Sequence, residues 1–110
     1  MTVLHEREKM FEDMFAHSEE LKFKVYAHFA KELSAWAVKQ LGLSPKDTKP
    51  YIASCIELGV KQDGLHKLTI KIHEDMKNKG ILIALHDIKA KAEDFLNEAK
   101  KQVMKDEIVN

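Results

Sequence analysis

The chain has 110 residues, which suffices for one domain with a single hydrophobic core and leaves no room for a second independent core. Hydrophobic residues make up 45% of it and charged residues 33%, while 4 glycines and 2 prolines are its strong helix breakers. This composition favours long amphipathic helices. The formal net charge is zero, so the chain has no overall field that would attract nucleic acid or an anionic membrane.

The charge is nevertheless unevenly distributed along the chain. Residues 1–20 carry six acidic side chains against Arg7 and Lys9, a net charge of −4, so the remainder carries +4.

Cys55 is the single cysteine, which excludes an internal disulfide and suits a reducing compartment. The opening residues lack the pattern of a secretory signal, and no apolar run reaches the ~18 residues of a membrane span. We therefore expect a cytoplasmic protein without direct membrane insertion.

The first predicted helix is long, from about Thr2 to Leu41, because neither glycine nor proline interrupts this stretch. Gly42 is suited to the left-handed conformation that often follows the end of a helix. Apolar residues recur within the helix at spacings of three and four, as expected for one buried face: Leu21, Val25, Phe29, Leu33 and Trp36.

Three shorter helices are predicted to follow. Ser44 is a good N-cap for the second helix, with Pro45 at its first position, and Asp63 is placed to cap the third. Gly80 ends the third helix, and the fourth runs from about residue 84 to residue 106. The apolar positions of the third and fourth helices include Leu68, Ile72, Ile88, Phe95 and Leu96.

Four amphipathic helices with short connections predict an all-α fold, an antiparallel four-helix bundle of residues 18–110. At about 1.5 Å per residue, a helix over residues 2–41 would be ~60 Å long, whereas the last helix covers only ~35 Å. The N-terminal part of the first helix should therefore overhang the bundle. We accordingly expect residues 1–17 to form a separate partner-binding segment.

Residues 1–17 carry an apolar stripe of their own. At about 100° per residue, Leu4, Phe11 and Phe15 fall within about 40° of one another on a helical wheel. Met10 and Met14 lie beside them, and Arg7, the only arginine of the chain, falls in the same sector. The stripe comprises Leu4, Arg7, Met10, Phe11, Met14 and Phe15. A stripe without an internal partner is typical of a helix that docks into a groove of another protein. The alternative is that this segment folds back and packs against the core.

The sequence offers little that indicates catalysis or a bound cofactor. His66 and His73 lie about 10 Å apart along a helix axis, too far to share one metal ion. Cys55 lies at one of the regularly spaced apolar positions of its helix, which predicts a buried structural thiol. Glycine-rich phosphate loops are absent, and the lysines are balanced by nearby acids. We therefore predict no metal, no cofactor, no nucleic-acid partner and no enzymatic activity.

The stretch from Arg7 to Lys24 carries a specific resemblance. It reads REKMFEDMFAHSEELKFK, which resembles the start of the alphaproteobacterial ATP synthase zeta subunit family. The pattern of that family is approximately R-E-x-x-F-E-x-x-F-A-H-D-x-E-L-x-F-K. The similarity continues more loosely through Gly80 and the final helix.

The resemblance implies a four-helix protein that inhibits the rotary F-type ATP synthase. In that family the N-terminal segment inserts at a catalytic interface between α and β subunits, close to the γ shaft, and blocks ATP hydrolysis. The resemblance assigns Arg7, Phe11 and Phe15 to the inserting helix, His17 to the junction, and Phe23 and Trp36 to the bundle.

The leading hypothesis is thus a cytoplasmic inhibitor that is peripheral to the inner membrane through the synthase and monomeric when free. Two alternatives stay open from the residues alone. The chain could be a helical adaptor or assembly protein for a different protein partner, or a bundle that binds a small ligand.

Overall fold

A computed structural model describes the backbone of residues 2–109 and the side chains of residues 6–107. It contains five α-helices followed by one π-helical stretch, and residues 2–109 include no strand. The prediction of an all-α fold is therefore confirmed. The elements are α1 (Thr2–His17), α2 (Glu19–Leu41), α3 (Pro45–Gly59), α4 (Gly64–Asn78), α5 (Leu85–Met104) and the π-helix Lys105–Val109.

The prediction of one unbroken first helix was wrong, because the helix is interrupted at Ser18. This residue is extended (φ −115°, ψ 114°), and its side chain accepts a hydrogen bond from the backbone N–H of Leu21 at 3.1 Å. Glu19 and Glu20 follow in the first turn of α2, where negative charge is favourable. A serine N-cap followed by two acids therefore starts a new helix without any glycine or proline.

The predicted overhang was also wrong. The longest dimension of the Cα trace is 48 Å, shorter than the ~60 Å of an unbroken helix over residues 2–41. Moreover, Phe11 is only 1% exposed and belongs to the hydrophobic core. The interruption at Ser18 lets α1 lie against the rest of the protein instead of projecting from it.

The core forms around α2, which packs against α3, α4 and α5. The antiparallel order of these helices stays a prediction. Of the residues predicted for the core, six are fully buried: Val25, Phe29, Leu33, Leu68, Ile72 and Ile88. Trp36, Phe95 and Leu96 are partly buried and pack against this core from its edge.

Phe23 is the exception among the residues expected in the core, since 58% of it is exposed. Leu21 and Val25, two positions before and after it, are both buried. Two residues correspond to about 200° around a helix, so Phe23 points away from the core face of α2. The assignment of Phe23 to the core was wrong for this reason.

The connections between helices follow the predicted chemistry in most places. Gly42 adopts the left-handed conformation (φ 67°), and Ser44 accepts a hydrogen bond from the N–H of Asp47 at 3.4 Å. Asp63 does precede α4, but it is itself left-handed (φ 61°) and its side chain makes no capping bond. Gly59 lies so close to Ala30 that an added Cβ would approach the alanine Cβ to 2.6 Å, so glycine permits close packing of α3 on α2.

Two phenylalanines on α2 provide a matched test of this fold. Phe29 is fully buried, whereas Phe23 is largely exposed. We expect Phe29→Ala to lower the free energy of unfolding by about 3–5 kcal/mol, because it leaves a cavity in the core. We expect Phe23→Ala to change it by less than ~1 kcal/mol. Urea unfolding followed by circular dichroism measures both values, and equal losses would contradict the described orientation of α2.

Candidate partner-binding site

Two phenylalanines attach α1 to the rest of the protein. Phe11 and Phe15 lie one turn apart and stack, with ring centroids 6.1 Å apart and an interplanar angle of 21°. Phe11 is the only fully buried side chain among residues 6–17, and Phe15 is partly buried against the core. We call this pair the Phe edge of α1. In this structure the Phe edge has a partner within its own chain.

The Phe edge faces the C-terminal half of α5, and Phe15 also borders the first turns of α2. The Lys100 ammonium lies 5.2 Å from the centroid of the Phe15 ring, within the range of a cation–π interaction. A cavity of about 640 Å³ beside Phe11 is lined by Glu8 and Glu12 of α1 and by residues of α5 that include Lys100 and Lys101. Acids on one helix therefore face lysines on the other across this cavity.

The second half of the predicted stripe faces outward. Met10 is 49% exposed and Met14 is 39% exposed, and the two lie one turn apart. We call this pair the Met edge. Arg7 falls in the same sector and is partly exposed. At about 100° per residue, the Met edge lies roughly 100° around the helix from the Phe edge.

In the structure, the Phe edge of the stripe is buried against the protein and the Met edge is exposed to solvent. The alternative that residues 1–17 fold back against the core describes the Phe edge correctly. The Met edge has the exposure that a partner-binding surface requires. Phe11 was predicted to contact a partner, but in this structure it is enclosed, so it becomes available only if α1 leaves α5.

The other predicted partner-binding residues have simple positions. His17 is the last residue of α1 and is exposed beside the junction at Ser18. The side chain of Leu4 lies outside the described residues. Of the predicted set, the structure brings Met10 and Met14 together with Arg7 on the outer side of α1.

Phe23 is an exposed aromatic residue that the prediction did not place at a surface site. It borders a cavity of about 670 Å³ that is also lined by Phe15, by Tyr26 and by residues 60–63 between α3 and α4. Exposed aromatic side chains are frequent anchors of protein interfaces. The spacing of Phe23 from Leu21 could have revealed it, because the two positions fall on opposite sides of a helix.

Another exposed apolar residue lies near the end of α2 that is opposite Ser18. Leu82, in the connection between α4 and α5, is 89% exposed. Lys79 of the same connection donates a hydrogen bond to the carbonyl of Leu41 at the end of α2. The 23 residues of α2 separate that end from Ser18, a distance of ~34 Å along the helix axis.

The cluster around Cys55 holds α3 and α4 together. The Tyr51 hydroxyl donates to Asp75 at 2.8 Å, and the Lys71 ammonium lies 3.0 Å from the same carboxylate oxygen. Burial raises the pKa of the Cys55 thiol to about 11. Burial, followed by the hydrogen bond to Asp75, also raises the pKa of Tyr51. Both groups therefore stay protonated near neutral pH, which suits packing rather than nucleophilic chemistry.

The described part of the chain offers little that suits a membrane or a metal ion. None of its helices is both long enough and apolar enough to cross a bilayer. Its histidines, cysteine and carboxylates form no group of three that could hold a metal ion.

Comparison with known proteins identifies a family. The family model described as ATPase inhibitor subunit zeta matches residues 1–102. These residues span α1 to α4 and nearly all of α5, so the match covers the Phe edge, the Met edge and the α5 lysines Lys100 and Lys101. No curated protein and no solved structure matches the chain.

Cys55 provides a test of the interior next to α3. Raising its pKa from 9.0 to about 11 lowers the thiolate fraction near pH 8 by roughly 100-fold, and burial blocks the reagent as well. We expect the native protein to react with a thiol reagent at pH 8 at least about 100-fold more slowly than the protein unfolded in urea. Rapid labelling of the native protein would contradict the described burial.

Proposed function

The chain belongs to the ATPase inhibitor subunit zeta family, and from this we propose that it inhibits ATP hydrolysis by an F-type ATP synthase. The proposed role is regulatory rather than catalytic. The proposed inhibitory element is α1, which inserts at a catalytic interface between α and β subunits near the γ shaft. The exposed Met edge on a separate N-terminal helix is the observation that carries this proposal.

The physical basis of inhibition is steric. A catalytic interface of a rotary enzyme has to open and close in each cycle, so a helix held between the two subunits stops the cycle without any chemistry. Helices that bind in this way present a row of anchors at spacings of three, four and seven residues. Arg7, Met10 and Met14 have this spacing and share the outer side of α1.

The residue types of this row suit an interface. Methionine is unbranched and polarisable, so the Met edge can adapt to a groove that changes shape. Arginine is enriched at protein interfaces, and its planar guanidinium binds carboxylates with two parallel hydrogen bonds. No described carboxylate forms an ion pair with Arg7, so we propose that an acidic group of the synthase does so. His17 then lies where the inserted helix emerges.

The rest of the chain has a different role in this proposal. Residues 18–110 stay outside the catalytic interface and hold α1 in position through the short junction at Ser18. The partners are the α, β and γ subunits of the catalytic head. This places the protein in the cytoplasm, bound to the inner membrane only through the synthase. We propose that it is a monomer when free.

Truncating the Met edge tests the proposed function. We expect Met10→Ala combined with Met14→Ala to weaken inhibition of ATP hydrolysis by the purified cognate head at least about tenfold, since interface anchors typically contribute more than 1 kcal/mol each. Both residues are well exposed, so the free energy of unfolding should change by less than ~1 kcal/mol.

Leu82→Ala is the matched control for this variant. Leu82 is also a large exposed apolar residue, but it lies in the connection beside the end of α2 that is ~34 Å along the helix axis from Ser18. Its truncation should leave the half-inhibitory concentration unchanged. Full inhibition by the double methionine variant, together with normal folding, would contradict a role for the Met edge.

A further inference from the structure

The Phe edge of α1 is occupied within the free protein. Phe11 is 1% exposed and stacks on Phe15, which the Lys100 ammonium covers at 5.2 Å. The same edge was expected from the sequence to face a partner. A helix surface that is buried against α5 is not accessible to the α and β subunits at the same time.

The attachment of α1 is also weakly built. Phe11 is its only fully buried side chain in residues 6–17, whereas α2 alone buries eight residues. Beside Phe11, α1 and α5 border an open cleft of about 640 Å³. The charges across this cavity are mostly of opposite sign, with Glu8, Glu12 and one lysine (Lys9) on α1 and Lys100 and Lys101 on α5.

Ser18 allows α1 to move without disrupting α2. It is the only non-helical residue between the two helices, and its own hydroxyl caps α2 by accepting from the Leu21 N–H. The first turn of α2 is therefore satisfied whether or not α1 precedes it. Rotation of the backbone at this residue can therefore change the direction of α1 without breaking the capping bond of α2.

We propose that the contact between the Phe edge and α5 is an autoinhibitory latch, an inference that rests on the proposed function. With the latch closed, only the Met edge is available to the synthase. When α1 swings away from α5 at Ser18, the latch is open. The whole apolar stripe is then available, and α1 can insert. The α5 face that includes Lys100, Lys101 and Met104 thus competes with the catalytic interface for one helix.

The latch sets the potency of the inhibitor through its equilibrium. If only a fraction of molecules is open, the apparent dissociation constant equals the intrinsic constant divided by that fraction. Changes on α5 that weaken the closed state should therefore strengthen inhibition, although they remove a contact from the free protein. An ordinary structural contact predicts the opposite or no effect.

Lys100→Glu tests the latch from the α5 side, leaving α1 unchanged. It removes the cation from the Phe15 ring and places a negative charge opposite the acids of α1. We expect the amides of residues 6–17 to exchange hydrogen faster and the half-inhibitory concentration for ATP hydrolysis to fall at least about threefold. Lys89→Glu is the control, because it makes the same charge change on α5 about 16 Å away along the axis.

A cleavable tether tests the closed state directly. Glu12 and Asn97 line the same cavity from α1 and α5, so Glu12→Cys and Asn97→Cys can be bridged by a short bismaleimide that contains a disulfide. We expect the tethered protein to lose inhibition and to regain it when the tether is reduced. Asn97→Cys without Glu12→Cys, treated with the same reagent, should inhibit throughout. Glu12→Cys without Asn97→Cys measures how much an adduct on α1 weakens inhibition by itself, and only a further loss that reduction reverses is attributed to the tether.

The outcomes separate the latch from the inhibitory function. Faster exchange and stronger inhibition by Lys100→Glu, with inhibition blocked by the tether, would support the latch. Faster exchange with unchanged inhibition, or full inhibition by the tethered protein, would overturn it while leaving the inhibitory role intact. A lack of inhibition by the wild-type protein, by Lys100→Glu and by the reduced variant would overturn the inhibitory role, and the latch with it.

Discussion

The burial of Phe11 between α1 and α5 is the contact on which the position of the N-terminal helix depends. A helix touches a neighbour along one narrow row of side chains, yet the apolar sector of α1 spans both the Phe edge and the Met edge. One neighbouring helix cannot cover both edges. The contact with α5 therefore fixes which residues are hidden, and it also fixes which apolar residues stay exposed.

Electrostatics acts on this contact in the same direction as apolar burial. Helix α1 carries four acidic side chains against two basic ones, a net charge of −2, and it lies beside the lysines of α5. The described residues form no close ion pair between α1 and α5, so this attraction is exposed to screening by salt, whose Debye length is about 8 Å at physiological ionic strength. The charges therefore add little to the cost of releasing α1, which comes mainly from exposing Phe11.

The sequence predicted the buried residues of the core better than it predicted the break at Ser18 and the position of α1. The apolar spacing of α2, α4 and α5 identified buried residues such as Phe29 and Ile72, and Gly42 and Ser44 marked helix ends by strong local chemistry. Ser18 was missed because only glycine and proline were read as interruptions, although a serine before two acids is also a start signal. Periodicity shows that a face is apolar but not what covers it, so the burial of Phe11 needed the tertiary structure.

The division of the stripe also gives an order to binding. An encounter through the Met edge needs no rearrangement, because Met10 and Met14 are already exposed in the closed protein. Exchange of the Phe edge from α5 to a partner then replaces one apolar surrounding by another, so Phe11 need not be left in water at the end of the process. Burying a phenylalanine is worth about 1.5–3 kcal/mol, and this cost arises only in the open intermediate. A helix with two apolar edges can thus pack against its own protein through one edge and bind a partner first through the other.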